Sequence, residues 1–288
     1  MGLAIIKMTD GTGSIAAKKE LKRGERKTKA NSLEKMLSLL DHFTSATPVW
    51  SPEELMRATS TSRSTCYRYI KALTRAELLT PVENGCYVLG PRIMEMDRQI
   101  RLTDPVYAAG LPVVRKFTKK TGQTTLLCVL FSNSVMCIHQ ELADGAPEGL
   151  FSRGERRPLL LAAASKIILA HLPHHQLRGI YVRHERAIAE AGLGSDWKSF
   201  MATLRAMRQA GYAETTSEFQ VGVSGVSAPI FNRFGHVLGS VGFAMEERLL
   251  NDDTRPGFSA DIIEAGKQIT ELLRDTEPMM GLSPRAIG

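Results

Sequence analysis

The chain has 288 residues, 43% hydrophobic and 23% charged, with a formal net charge of +7. That length predicts two domains. No apolar run approaches the roughly 18 residues of a membrane span and Met1–Asp10 holds no signal-peptide core, so the chain is expected to be soluble and cytoplasmic. Four cysteines (Cys66, Cys86, Cys128, Cys137) with no Cys-x-x-Cys pair argue against a disulfide scaffold or a cysteine zinc site and read as reduced core residues.

The charge is concentrated at one end. Residues 1–30 carry eight Lys/Arg against three Asp/Glu, whereas 31–101 carry nine against eight and 102–288 twenty against nineteen. Lys18–Lys29 reads as a disordered basic arm that either adds salt-dependent affinity for DNA or only solubilises the chain.

Leu33, Met36, Leu37, Leu40 and Phe43 form the first amphipathic stripe, with Asn31 or Ser32 placed to cap it. A second helix starts at Ser51, the N-cap, with Pro52 at the first helical position and Glu53 and Glu54 in the first turn. Thr59-Ser60 makes a short polar turn, and a third helix runs over Ser62–Leu73, capped by Thr61 or Ser62. Its Cys66, Tyr69, Ile70 and Leu73 fall at i, i+3, i+4 and i+7 and share a buried face. Ser64, Thr65, Arg68 and Lys71 lie off that face, with Tyr67 at its edge. From Arg57 to Ala76 there are five cations and no Asp or Glu, which suits a phosphate-lined groove. Leu78–Leu89 reads as two short strands around Asn84-Gly85, a hairpin signal. The order helix, turn, helix, hairpin is that of a winged helix-turn-helix, although a helical module that packs on a partner protein would share the pattern. Glu83 at the hairpin tip argues against a wing that grips phosphate closely.

After Gly90-Pro91, Arg92–Leu102 reads as a connecting helix with Ile93, Met96 and Ile100 on one side, ended by Asp104-Pro105. The second half opens with a helix from Pro105 to about Lys120, closed by Gly122. Strands are predicted over Thr124–Phe131, Val135–Leu142 and Leu150–Ser152, then a buried Ala-rich helix over Pro158–Leu172. Trp197–Ala210 is an amphipathic helix ended by Gly211. Tyr212–Ser217, Gly225–Phe231 and His236–Met245 are further strands, the last two joined across Asn232–Gly235, and a final helix covers Asp253–Arg274. The fold class is α+β. The predicted divisions are a disordered basic arm (1–30), a winged helix-turn-helix domain (31–90), a linker helix (91–103), a second domain (104–276) and a disordered tail (277–288).

Catalytic patterns are absent. There is no Gly-x-Gly-x-x-Gly and no Walker loop, and Gly222-Val223-Ser224-Gly225-Val226 misses the Gly-x-Ser-x-Gly elbow by one residue. His171, His174 and His175 lack an Asp, Glu or Cys at ligand spacing and read as a surface turn, Leu172–His175, rather than a metal site. No enzyme activity, cofactor or metal is expected.

Over residues 31–275 the chain resembles the IclR family of bacterial transcription regulators. The resemblance rests on Ser32–Lys35, Ser64–Arg68, Tyr87–Gly90, Lys166 with Leu169-Ala170, Arg205–Tyr212 and Val237–Val241, in matching order along both halves. It implies a winged helix-turn-helix, a linker helix, and an effector-binding domain built on a curved antiparallel sheet with flanking helices. It also implies homodimers, often paired into dimers of dimers, that bind small organic acids and repress or activate catabolic operons from palindromic double-stranded DNA. Such a protein would be nucleoid-associated when bound. Carried over by position, Arg63, Ser64, Thr65, Tyr67, Arg68 and Lys71 are the candidates for base and phosphate contact. Leu160, Ala164, Ser165, Thr215, Val223, Ser224, Gly225, Gly242 and Ala244 are the candidates for lining the effector pocket. The family usually has His near Leu160, Gly at Ser165, acids at Thr215 and Thr216, and Ser at Gly242 and Ala244, while Glu218 and Gly222 are kept. These exchanges suggest a roomier, more apolar pocket for a larger or aromatic carboxylate held by backbone N–H groups and hydroxyls. Loss of sensing altogether is the alternative.

Overall fold

The computed structural model describes residues 31–146 and 150–275; the expected arm (1–30) and tail (277–288) lie outside the described residues. These residues divide into two units, one ending at Asp104 and one beginning at Pro105.

In the first unit, α1 (Ser32–Leu37) opens with a capping box. Asn31 Oδ1 accepts from Leu33 N and Glu34 N, both at 2.9 Å, and Asn31 N donates to Glu34 Oε2 at 2.8 Å. A 3-10 turn (Ser38–His42) then replaces the expected continuous α-helix. Its tighter winding moves the buried face off the predicted stripe. Leu39 and Phe43 are buried, while Leu33 and Leu37 stay 67% and 52% exposed. A second capping box, Ser51 with Glu54, starts α2 (Pro52–Thr59), and Ser60 at φ +52 turns the chain out of it. Ser62 rather than Thr61 caps α3 (Arg63–Arg75). Cys66, Tyr69, Ile70 and Leu73 are all buried and pack against Leu39, Phe43, Leu55 and Leu79. β1 (Leu79–Pro81) and β2 (Tyr87–Leu89) pair antiparallel, with Asn84 and Gly85 at φ +58 and +71 in the turn. Trp50 extends this hairpin on its other side by exchanging backbone hydrogen bonds with Tyr87 at 3.0 and 2.8 Å, a bridge that no sequence pattern predicts. The following helix α4 (Arg92–Thr103) has no buried residue.

The second unit is a six-stranded antiparallel sheet in the order β5-β4-β3-β8-β7-β6. Its strands are β3 (Thr124–Phe131), β4 (Ser134–Glu141), β5 (Arg156–Pro158), β6 (Ala213–Thr216), β7 (Val223–Phe231) and β8 (Val237–Glu246). Register shifts at Leu127/Cys128 and Ile230/Phe231 bend its strands. One face packs on α5 (Pro105–Thr121) and the terminal helix α9 (Arg255–Asp275), through Val114, Phe117, Leu127, Val241, Ile262 and Ile269. The other face packs on α6 (Ala162–Ala170), α7 (His174–Glu190) and α8 (Trp197–Ala210), through Leu126, Cys128, Ile168, Leu169, Phe200 and Leu204. Every residue of α6 is buried, Ser165 and Lys166 included.

Three expectations fail here. Leu150–Ser152 is irregular, with Leu150 and Phe151 buried by their side chains alone, and the edge strand is Arg156–Pro158 in a charged stretch without β patterning. The buried helix is shorter than Pro158–Leu172, because Pro158 belongs to that strand. His174 and His175 open a 17-residue helix instead of a turn. Pro173, part of the expected turn, stands at its N-cap, and Leu177, Ile180, Tyr181 and Ile188 are its buried residues. Cys66, Cys128 and Cys137 are buried and Cys86 is half-buried, all as free thiols.

Candidate functional site

Two places in the structure hold the predicted site residues. The first is the outer face of α3, where Arg63, Ser64, Tyr67, Arg68 and Lys71 are all exposed and no acid lies in the first turn. Thr65 is half-buried and serves the helix start, its hydroxyl accepting from Ser62 Oγ at 2.9 Å while its N–H goes to the same oxygen. Tyr67 OH donates to Glu53 Oε1 at 3.2 Å, and the Arg63 guanidinium lies 5.7 Å from the Tyr67 ring centroid. Arg68 lies over Tyr69 at 5.7 Å and makes no ion pair among the described residues. The face therefore offers free cations on a rigid helix whose opposite side is locked into the core.

The second is a cavity where the start of α6 meets β7, β8 and the β6–β7 connection. Ala164, Thr215, Val223, Ser224, Gly225 and Ala244 line it. Leu160, Ser165 and Gly242 do not. Leu160 is packed into the apolar core beside Leu159 and Ile168, and Ser165 is fully enclosed with an unpartnered hydroxyl. Arg157, Phe151, Phe219 and Ser227 line the cavity too, and none of them stands out in the sequence.

Polar groups hold this wall together. Ala162 N donates to Glu218 Oε2 at 3.1 Å and Ala163 N to Thr215 Oγ1 at 3.1 Å, so the first two N–H groups of α6 are already used. Ala162 itself sits at φ +66, a conformation that costs a non-glycine residue about 1 kcal/mol and that these bonds must hold. Lys166 Nζ pairs with Glu218 Oε1 and donates to Ala191 O at 3.1 Å. No group of three or more His, Cys, Asp or Glu side chains that could hold a metal ion occurs among the described residues.

Comparison with known proteins decides what these two places belong to. Residues 32–83 match the IclR helix-turn-helix domain, and residues 103–271, more than half of the chain, match the bacterial transcriptional regulator IclR C-terminal domain. The chain belongs to the IclR family. Relatives include the HTH-type transcriptional regulator XynR of Escherichia coli, 22% identical over 243 residues, which covers 84% of this chain and 96% of that one. KdgR of the same organism is 23% identical over 220 residues, covering 75% and 83%. Among solved structures, Thermotoga maritima IclR superposes with a TM-score of 0.68 at 20% identity, covering 84% and 98%. An IclR homologue from Microbacterium hydrocarbonoxydans in complex with 4-hydroxybenzoate gives 0.69 at 19% identity, covering 85% and 100%. As an IclR-family member the chain is a DNA-binding transcriptional regulator with a C-terminal effector domain, not an enzyme. No helix among the described residues is long and apolar enough to cross a membrane.

At Gly242, one of the positions expected to open the pocket, the space is already filled. A Cβ added at Gly242 would lie 2.2 Å from Ser227 Oγ, so a hydroxyl from the adjacent strand takes the place of a side chain at 242. The cavity itself is small, about 50 Å³, room for a few waters, and not the roomy pocket expected from the missing side chains.

His171 is a structural rather than a site histidine. Its ring meets Phe231 edge-on at 4.9 Å with Nε2 enclosed and unpartnered. Burial, helped by the Arg208 charge, pushes its imidazole down to about 4. The unfolded chain takes up that proton near 6.5, the folded chain only near 4, so stability is full above about pH 6.5 and falls as pH drops towards 4. With partial exposure allowed for, about 2 kcal/mol is at stake. Urea melts at pH 7.5 and 5 should show His171→Leu losing less stability on acidification than wild type by about 1 kcal/mol, since pH 5 lies only part-way down that range.

Proposed function

We propose that this chain is a homodimeric transcription factor that binds a palindromic operator through α3 and changes that binding when its C-terminal unit takes up a small organic acid of the aromatic class. The observation that carries the DNA half is the acid-free cationic face of α3, with Arg63, Arg68 and Lys71 exposed on one rigid helix. Arg63, Ser64, Tyr67, Arg68 and Lys71 are the contacting residues, and Thr65 supports them from the helix cap. The cytoplasm is where such a protein works. The solved relative that holds 4-hydroxybenzoate supports an aromatic acid as effector class. A ligand can act only by binding one arrangement of the dimer better than another; α4, which precedes the second unit in the chain, is the candidate transmitter.

The test is binding of the purified protein to the DNA upstream of its own gene, at two salt concentrations, with and without a panel of aliphatic and aromatic acids. Specific binding that weakens with salt and shifts with an acid is the expected result. The small cavity favours one second reading, a DNA binder that senses nothing. That reading predicts specific binding and no change in melting temperature with any acid.

A further inference from the structure

Two charged side chains line the cavity, and only one has a counter-charge. Glu218 is neutralised by Lys166. Arg157, 8% exposed, makes no ion pair among the described residues, and its Nε is enclosed without a hydrogen-bond partner. The guanidinium carbon lies 3.9 Å from the Phe151 ring centroid and 3.4 Å from that of Phe219. Two rings cannot both come within 4 Å of one carbon on the same face, so they flank it. Rings on both faces hold the cation in place and satisfy none of its N–H groups, which all point outward in the guanidinium plane. A carboxylate entering in that plane would meet the planar fork it matches.

We propose that Arg157 anchors the carboxylate of a monoanionic aromatic acid in this cavity, an assignment that rests on the effector reading above. It takes the charge-neutralising role that Ala162 N and Ala163 N cannot fill, since these are already taken by Glu218 and Thr215. One unpaired cation neutralises one carboxylate; a second carboxylate in the same cavity would face Glu218 unpaired. The remaining wall is mixed, with Leu126, Leu150 and Ala244 available to an aromatic ring and Thr215, Ser224 and Ser227 supplying hydroxyls. The cavity is too small for such a ring as it stands. Phe219, 36% exposed on the β6–β7 connection, is the side chain that gives way, its ring yielding the place over the guanidinium to that of the ligand.

Calorimetric titration of the full chain with benzoate, 4-hydroxybenzoate, terephthalate and benzamide tests this. Wild type should bind the monoacids at least tenfold more tightly than benzamide or terephthalate. Arg157→Gln should bind benzoate at least fiftyfold more weakly while binding benzamide as before. Arg157→Lys, which keeps the charge and loses the fork, should fall between, and covers the case in which the glutamine variant does not fold. Benzoate affinity equal in wild type and in a cooperatively melting Arg157→Gln, or equal for benzoate and benzamide, overturns the role of Arg157 and leaves the effector reading standing. Terephthalate bound as tightly as benzoate overturns the single-charge assignment. No binding of any of these acids to wild type overturns this proposal, and with unchanged operator binding it overturns the effector reading as well.

Discussion

Lys166→Met is expected to lower the unfolding free energy of the second unit by about 3 kcal/mol in chemical denaturation. The lysine lies in a helix with every residue buried, and its side chain is 6% exposed. Its ammonium holds two things at once, the Glu218 carboxylate and the Ala191 carbonyl. Methionine keeps most of the volume, so the loss is electrostatic rather than a cavity effect. It strands Glu218 against one remaining backbone donor, Ala162 N, and leaves a carbonyl unmatched. A fully enclosed pair broken this way costs about 3–5 kcal/mol; Glu218 is 29% exposed, which places the effect at the low end. Pairing Lys166→Met with Glu218→Gln should recover about 1–2 kcal/mol in a double-mutant cycle. Recovery of nothing would mean that the two side chains act separately. The same pair ties the connection that carries Phe219 to α6, so the single variant should also loosen the cavity mouth, seen as faster amide exchange over residues 217–222.

How far the sequence could be read follows the reach of the interactions. The recognition helix was legible because its signal is local: Ser62 as cap, four apolar residues at helical spacing, and a turn that needs only Asn84 and Gly85. Five of the six sheet strands of the second unit were legible for the same reason, four of them joined in pairs by tight turns at Ser132-Asn133 and Asn232–Gly235. Leu33 and Leu37 failed because a 3-10 turn just after them changed the winding, which periodicity alone cannot register. The helix after Pro173 failed because proline signals both a break and a start. Arg157 was invisible for a different reason. In sequence it is one of three arginines within Arg153–Arg157, with nothing to distinguish it from solvated charge. Only the fold places Phe151 and Phe219, 68 positions apart in the chain, on either side of it. Similarly, the missing side chain at Gly242 suggested open space, and only strand register shows Ser227 occupying it.

Arg68→Ala is expected to weaken operator binding about a hundredfold, or about 3 kcal/mol. Arg68 stands at the middle of α3, exposed and without an ion pair, while the neighbouring Tyr67 hydroxyl is engaged by Glu53. It is therefore the free planar donor best placed to form a bidentate pair with guanine, each such pair contributing about 1–3 kcal/mol to discrimination. In the proposed dimer that pairing is made at both half-sites, so its removal counts twice. A base reader and a phosphate clamp leave different signatures. If Arg68 reads a base, the variant binds random DNA nearly as well as wild type and keeps its salt dependence. If it grips phosphate, both DNAs weaken together and the salt slope falls by about one for each phosphate no longer neutralised. Tyr67→Phe tests the neighbouring contact separately: its hydroxyl is committed to Glu53, so contact falls to the ring and loss of the hydroxyl alone should change operator affinity less than threefold. Titration of operator and scrambled duplexes at two salt concentrations separates the cases, and an equal weakening on both DNAs would reassign Arg68 from sequence reading to positioning.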